Sequence, residues 1–180
     1  MEGWKTVREY LAGAETMRPQ ELAFGILREP AAPGYGHQVV VGRIFTLLDR
    51  HVHRINAGRV VISPVDVVLD RERALVVQPD VVFVSRERLG ICDRRIWGAP
   101  DLVVEVLSST RRRHDRTVKV KWFKTYGVRE CWLVDPVSRE VDVRDLAAGE
   151  EGSRVFAHGQ VLRSTVLPRL RLRVESVFTY

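Results

Sequence analysis

Apolar residues in this chain fall at two different spacings, and the change from one spacing to the other marks out the elements. Trp4, Val7 and Leu11 recur at helical intervals, which predicts a short amphipathic helix near the N-terminus. Residues 21–29 (ELAFGILRE) read as a strand interrupted by Gly25, and residues 30–36 (PAAPGYG) as a loop by their proline and glycine content. Val41, Ile44, Leu48, Val52 and Ile55 then line one face of a longer helix that starts near His37 and ends near Asn56 to Gly58.

Residues 60–69 and 75–84 are strand-like runs joined by Asp70-Arg71-Glu72-Arg73, the pattern of a hairpin. The second run contains Gln78-Pro79-Asp80. Pro79 has no N–H for a ladder, so it belongs at an edge, a bulge or a strand start, and it places Asp80 at the head of residues 81–84. Residues 102–107 form the near-continuous aliphatic run of a strand covered on both faces. Ser108 to Thr110 offers capping chemistry for a helix reaching Tyr126, with Val118, Trp122 and Tyr126 on one face and Gly127 as its stop. Residues 131–134 are another buried strand, which residues 136–139 turn into 141–144; weaker patterning at 155–160 and an apolar stretch at 167–172 follow. A strand–helix–strand core flanked by hairpins predicts an α/β fold, with a mixed central sheet flanked by helices and N-terminal helix and hairpin additions. The connecting helix is expected to be a right-handed crossover.

The chain has 180 residues, 45% hydrophobic and 29% charged, which suits a single globular domain over residues 1–180 and excludes a disordered polymer. There is no internal repeat. Cys92 and Cys131 form no metal-type pair, and Cys131 lies in an apolar strand, so a reducing compartment is expected. No apolar run approaches the ~20 residues of a membrane span and the N-terminus lacks a secretory pattern, so the expectation is a cytoplasmic protein with no membrane partner. A net charge of +6 permits a polyanionic partner without requiring one.

Glu105 changes this picture. It sits in the middle of the apolar run 102–107, where an ionised carboxylate costs roughly several kcal/mol unless it is paired or bound to a cation. Asp80 at the head of one strand, Glu105 in the next and Lys119 on the following helix could converge. Two carboxylates on neighbouring strands make a hard oxygen site suited to Mg²⁺ or Mn²⁺, completed by water and a substrate phosphate. Lys119 is then placed to orient or deprotonate an attacking water, or to offset charge on the phosphate. Asp115, one helical turn earlier, is expected on the same side. Plainer readings stand beside these: Asp80 as a turn cap, Asp115 and Lys119 as a surface ion pair worth ~0.3–0.5 kcal/mol, and Glu105 in a buried salt bridge to an arginine.

The densest positive charge is the run Arg111, Arg112, Arg113 and His114, with Arg116, Lys119, Lys121 and Lys124 behind it. Such a run is ordinarily a solvated face. Here it abuts the candidate site, and phosphate contacts from Arg111, Arg112, Arg113, Arg116 and Lys121 would supply sequence-independent nucleic-acid affinity. His37, opening a helix after a glycine loop, is a supporting residue.

The segments QPDVVFVS, APDLVVEVLSST, RRRHDRTVK and GVRECWLVD, in this order and separation, resemble the Uma family of restriction-type endonucleases, a branch of the PD-(D/E)xK nuclease superfamily. The likeness extends more loosely through TVREYL, ELAFGILRE, GHQVVVGRIFTLL and DVVLD. It implies a restriction endonuclease-like core that cleaves DNA phosphodiester bonds with Mg²⁺, Asp80 matching the acid of the PD motif and Glu105 that of (D/E)xK. Leu107 occupies the place of the superfamily's lysine. The family's lysine stands on the next helix, where Lys119 matches and Lys121 is the other candidate. Ser109 and Phe123 replace a frequent proline and tyrosine. Two further readings remain: a catalytically silent nucleic-acid-binding or regulatory protein on the same fold, and a structural domain in which Glu105 is a core salt bridge. Cutting two strands makes a homodimer reasonable.

Overall fold

The computed structural model describes residues 3–13, 16, 18–108, 115–148 and 152–179; of the side chains of residues 115 and 116 nothing is described. Helix α1 (Val7–Leu11) precedes strands β1 (Glu21–Ala23) and β2 (Ile26–Arg28), and helix α2 (Tyr35–Ile55) follows. Next come β3 (Gly58–Ile62), β4 (Val67–Asp70), β5 (Leu75–Val77), β6 (Val81–Ser85), β7 (Ile96–Trp97) and β8 (Leu102–Val106). A π-helical turn (Asp115–Lys119) runs into helix α3 (Val120–Thr125), and the chain finishes with β9 (Glu130–Asp135), β10 (Glu140–Asp145), β11 (Ser153–Phe156), β12 (Val161–Leu162) and β13 (Leu172–Arg173).

Local chemistry explains the ends of these elements. Thr6 and Glu9 cap α1 reciprocally, the Thr6 hydroxyl accepting the Glu9 N–H at 3.1 Å while the Glu9 carboxylate accepts the Thr6 N–H at 2.8 Å. Helix α2 stops at Asn56, whose φ of 53° is the left-handed conformation that asparagine tolerates. The stretch 21–29 is a hairpin, and not the single interrupted strand expected from its pattern. Phe24 and Gly25 have φ of 51° and 84°, the paired positive values of a two-residue turn, so β1 and β2 fold onto each other with Ala23 opposite Ile26.

Two sheets share the work. The central one has six strands in the order β11-β10-β9-β8-β6-β3, mixed because β8 and β9 run parallel while their neighbours are antiparallel. A second has five, β2-β1-β5-β4-β7, and β12 and β13 pair with each other apart from both. The hairpin expected over 60–84 is divided between them. Ile62 pairs with Val81 in the central sheet and Val67 with Val77 in the other, so both arms leave one sheet for the other near Pro64 and Pro79. Neither proline offers an N–H, so neither arm continues as one unbroken ladder strand.

Layering follows from alternation along the central strands. One face carries Val81, Val104, Val106, Trp132 and Val134 against Val40, Val41, Ile44, Leu48 and Val52 of α2 and the C-terminal segment. The opposite face carries Val82, Val103, Leu107 and Cys131 against α3 and the inner face of the second sheet, including Leu75 and Val77. The second sheet's outer face, with Leu22, Val68 and Val76, is covered by Val7 of α1. Strand β8 is therefore buried along its length, and its head is fixed by Asp101, which accepts the Ser85 N–H at 2.8 Å and pairs with Arg88 at 3.1 Å and Arg129 at 3.2 Å.

The helix that crosses from β8 to β9 differs from expectation in phase. Val118, Trp122 and Tyr126 are half-buried, whereas Lys119, Val120 and Phe123 go deepest. A π turn adds residues per revolution, so the face that meets the sheet shifts relative to a regular 3.6-residue reading. Trp122 meets Phe24 edge to face at 5.6 Å and lies under the Arg28 guanidinium, which docks α3 onto the β1–β2 hairpin. No described helix is long and apolar enough to cross a membrane.

Candidate active site

Antiparallel pairing of Val81 with Val104 brings the residues just before β6 alongside Glu105 and Val106. Asp80 is held there by the backbone, its Oδ2 accepting the Val106 N–H at 2.7 Å. Because Val104 and Val106 face α2, Glu105 between them faces the other way, toward α3 and the second sheet. It is 5% exposed, and its Oε1 lies 2.8 Å from Lys119 Nζ. The partner of the buried acid is thus a lysine, in place of the arginine that a salt-bridge reading of the strand expects.

A third carboxylate completes the arrangement. Glu21 Oε1 also lies 2.8 Å from Lys119 Nζ and accepts the Gln78 N–H at 3.2 Å. In β1, Leu22 packs outward beneath α1, so alternation turns Glu21 inward, into the space between the two sheets. Sequence pattern does not single out Glu21, although it carries the same signal as Glu105: an acid in an otherwise apolar strand. Its distance in sequence from the central motif conceals the convergence.

His37, in the first turn of α2, closes the rim. Its Nε2 is 3.0 Å from the Val106 carbonyl oxygen and 3.4 Å from Asp80 Oδ2. These side chains line a cavity of about 410 Å³ whose other wall is the loop from Pro30 to Gly34. Asp80, Glu21 and Glu105 bring three carboxylates to this hollow, and Lys119 brings one amine. The three carboxylates are hard oxygen donors of the kind that Mg²⁺ or Mn²⁺ takes. Among the described residues no three His, Cys, Asp or Glu side chains close around one point.

The structure thus draws Asp80, Glu105, Lys119 and His37 together and adds Glu21. Lys121 is exposed, whereas Lys119 is buried beside the acids. Arg111, Arg112 and Arg113 lie outside the described residues, as do the side chains of Asp115 and Arg116.

Among solved structures, the chain is similar to one from Anabaena variabilis described as "a putative nuclease belonging to DUF820", with a TM-score of 0.83 over 97% of each chain at 18% identity. That likeness establishes a shared mixed α/β, restriction endonuclease-like fold. No curated protein matches the sequence. Residues 7–175 match the model of the Uma2 family, described as "Putative restriction endonuclease", and a match over nearly the whole length makes this chain a member of that family.

Proposed function

We propose that this protein is a divalent-metal-dependent endonuclease that hydrolyses DNA phosphodiester bonds in the cavity between the two sheets. The observation that carries the reading is the convergence of three carboxylates, those of Asp80, Glu21 and Glu105, with Lys119 in one hollow. Asp80 and Glu105 are the residues to hold Mg²⁺ or Mn²⁺, which when bound supplies charge neutralisation at the phosphate and activation of water.

The chain's own residues do the rest. The Val106 N–H fixes the Asp80 carboxylate through Oδ2. Lys119 holds a proton-bearing ammonium at the floor, positioned to hydrogen-bond a phosphate oxygen or the attacking water. Glu21 is a positioning residue: it would keep an anionic anchor on Lys119 were Glu105 to hold a cation. His37 steadies Asp80 from the rim. The basic run at 111–113, with Arg116 and Lys121, supplies backbone phosphate contacts in this reading.

One observation favours a different outcome: Glu105 already has its counter-charge in Lys119, as a catalytically silent DNA-binding relative would need. Mn²⁺ titration calorimetry on the native chain and on Asp80→Ala, followed by plasmid cleavage assays, separates the two. The nuclease reading expects binding that the variant loses and cleavage that chelation abolishes. DNA binding untouched by chelation, with no cleavage under any metal, overturns it.

A further inference from the structure

Beside the candidate site lies a larger cavity of about 700 Å³, lined among others by Tyr10, Gln20, Asp66, Gln78, Arg94 and Arg95. Pro64 and Gln78 line both hollows, so the two share a wall two residues from Asp80. Their electrostatics are opposite. In the larger hollow Asp66 is the only acid in the lining among the described residues, and three donors answer it: the Tyr10 hydroxyl at 3.0 Å, the Gln78 amide at 2.9 Å and Arg95 Nε at 3.3 Å. Burial, and then the charge of Asp66, push the Tyr10 hydroxyl well above its ordinary pKa, so it remains a neutral donor. With Arg95 set against Asp66, exposed Arg94 gives the lining an excess of positive charge among the described residues.

An acidic hollow that suits a cation and a phosphate therefore abuts a basic hollow with hydroxyl and amide donors. We infer that the larger cavity seats the DNA strand next to the phosphate being cut, with Arg94 holding a neighbouring backbone phosphate. This rests on the nuclease reading of the acidic site. A hollow of this volume lies in the range that accommodates a ligand of nucleotide size. A polyanion lying across an acidic centre needs compensating cations beside it, and the shared wall supplies continuity from one hollow to the next. Contacts of this kind position a strand without reading its sequence.

The test is DNA binding in EDTA, where no metal-dependent cleavage occurs, measured by anisotropy of a short labelled single strand over a series of KCl concentrations. Arg94→Ala is exposed and leaves the Asp66 network intact; it is expected to lower the slope of log K against log salt by about 0.7, the value for one phosphate contact on a single strand. Arg171→Ala, an exposed change outside both linings, removes the same charge and should leave the slope unchanged. An Arg94→Ala slope equal to that of the native chain, a fall matched by Arg171→Ala, or a native chain that binds no DNA would each overturn the inference. Failure of the nuclease reading has a different signature: Arg94-dependent binding in a chain that cleaves nothing when Mg²⁺ or Mn²⁺ is added.

Discussion

Lys119 Nζ lies 2.8 Å from Glu105 Oε1 in a site where both side chains are almost wholly buried, although one residue belongs to the central strand and the other to the π turn that follows it. The pair gains a second acid from Glu21, so the ammonium is shared between a strand of each sheet. Such an arrangement fastens the sheets together by charge as well as by apolar contact.

Removing the lysine alone should therefore be costly. Lys119→Met leaves two carboxylates buried without their cation, and a loss of about 3–5 kcal/mol is expected from breaking a buried ion pair in this way. The triple change Glu21→Gln, Glu105→Gln, Lys119→Met should recover much of that loss, since neutral groups carry far less desolvation cost. Urea unfolding midpoints of the two variants check this. Equal midpoints for Lys119→Met and the native chain would show that the acids find other counter-charge.

Glu21 and Glu105 touch the same ammonium but should respond differently to substitution. Glu105→Gln removes a proposed cation ligand and should abolish Mn²⁺ binding and cleavage together. Glu21→Gln leaves the Glu105–Lys119 pair in place, so Mn²⁺ affinity should be nearly native while kcat falls, by about 10- to 100-fold if its effect matches that of other groups that support a metal site from outside. KM should move little. The combination of calorimetry and steady-state cleavage kinetics reads both, and loss of metal binding in Glu21→Gln would make it a ligand instead of a positioning residue.

Much of this site is legible before folding. Pro79 announces a strand start at Asp80, and an acid inside an aliphatic run announces that Glu105 needs a partner. The helix face is not legible in the same way, because periodicity assumes 3.6 residues per turn and the π turn at Asp115–Lys119 breaks that assumption where Lys119 enters the core. Glu21 escapes for a different reason. Its strand is three residues long, too short for alternation to declare a buried face, and the strands beside it in the sheet, β5 and then β4, come from segments that sequence pattern assigns to a separate hairpin over 60–84. Short apolar runs specify a strand far better than they specify which sheet it joins.

Asp101 supplies a pH-dependent part of stability. Burial alone would raise its pKa, but the Ser85 N–H and the Arg88 guanidinium outweigh burial and hold the carboxyl below its usual value. In the acidic window below the unfolded value near 3.8, the unfolded chain binds the proton more readily than the folded one. The contribution is therefore complete above that value and lost as pH falls through the lower folded value. Asp101→Asn should flatten this part of the stability profile and cost about 1–3 kcal/mol at neutral pH, since it weakens a buried hydrogen-bonded acceptor. Denaturant titrations of the variant and the native chain, from neutral pH down into the acidic window, are the check. An unchanged pH slope in Asp101→Asn would remove Asp101 as its source.

The turn that delivers Glu21 can be tested at Gly25. Its φ is 84°, and a methyl group there would collide with the Trp4 indole. Gly127 offers the comparison, with a φ of 93° and no heavy atom within 4 Å of a built methyl group. Both Gly→Ala changes incur the left-handed backbone strain of about 1–2 kcal/mol, but only Gly25→Ala must also displace Trp4. Trp4 is 61% exposed, so it can swing away, and the difference between the two variants isolates what its packing over the turn contributes. Gly25→Ala should melt below Gly127→Ala, with each kcal/mol appearing as about 2–4 °C in a chain of this length. Because β1 carries Glu21 and the same hairpin holds Trp122 of α3, Gly25→Ala should also slow cleavage, while Gly127→Ala, at the far end of that helix, should not. Equal melting temperatures would show that Trp4 rests on the turn without stabilising it, and equal cleavage rates would uncouple the turn from the acid it presents.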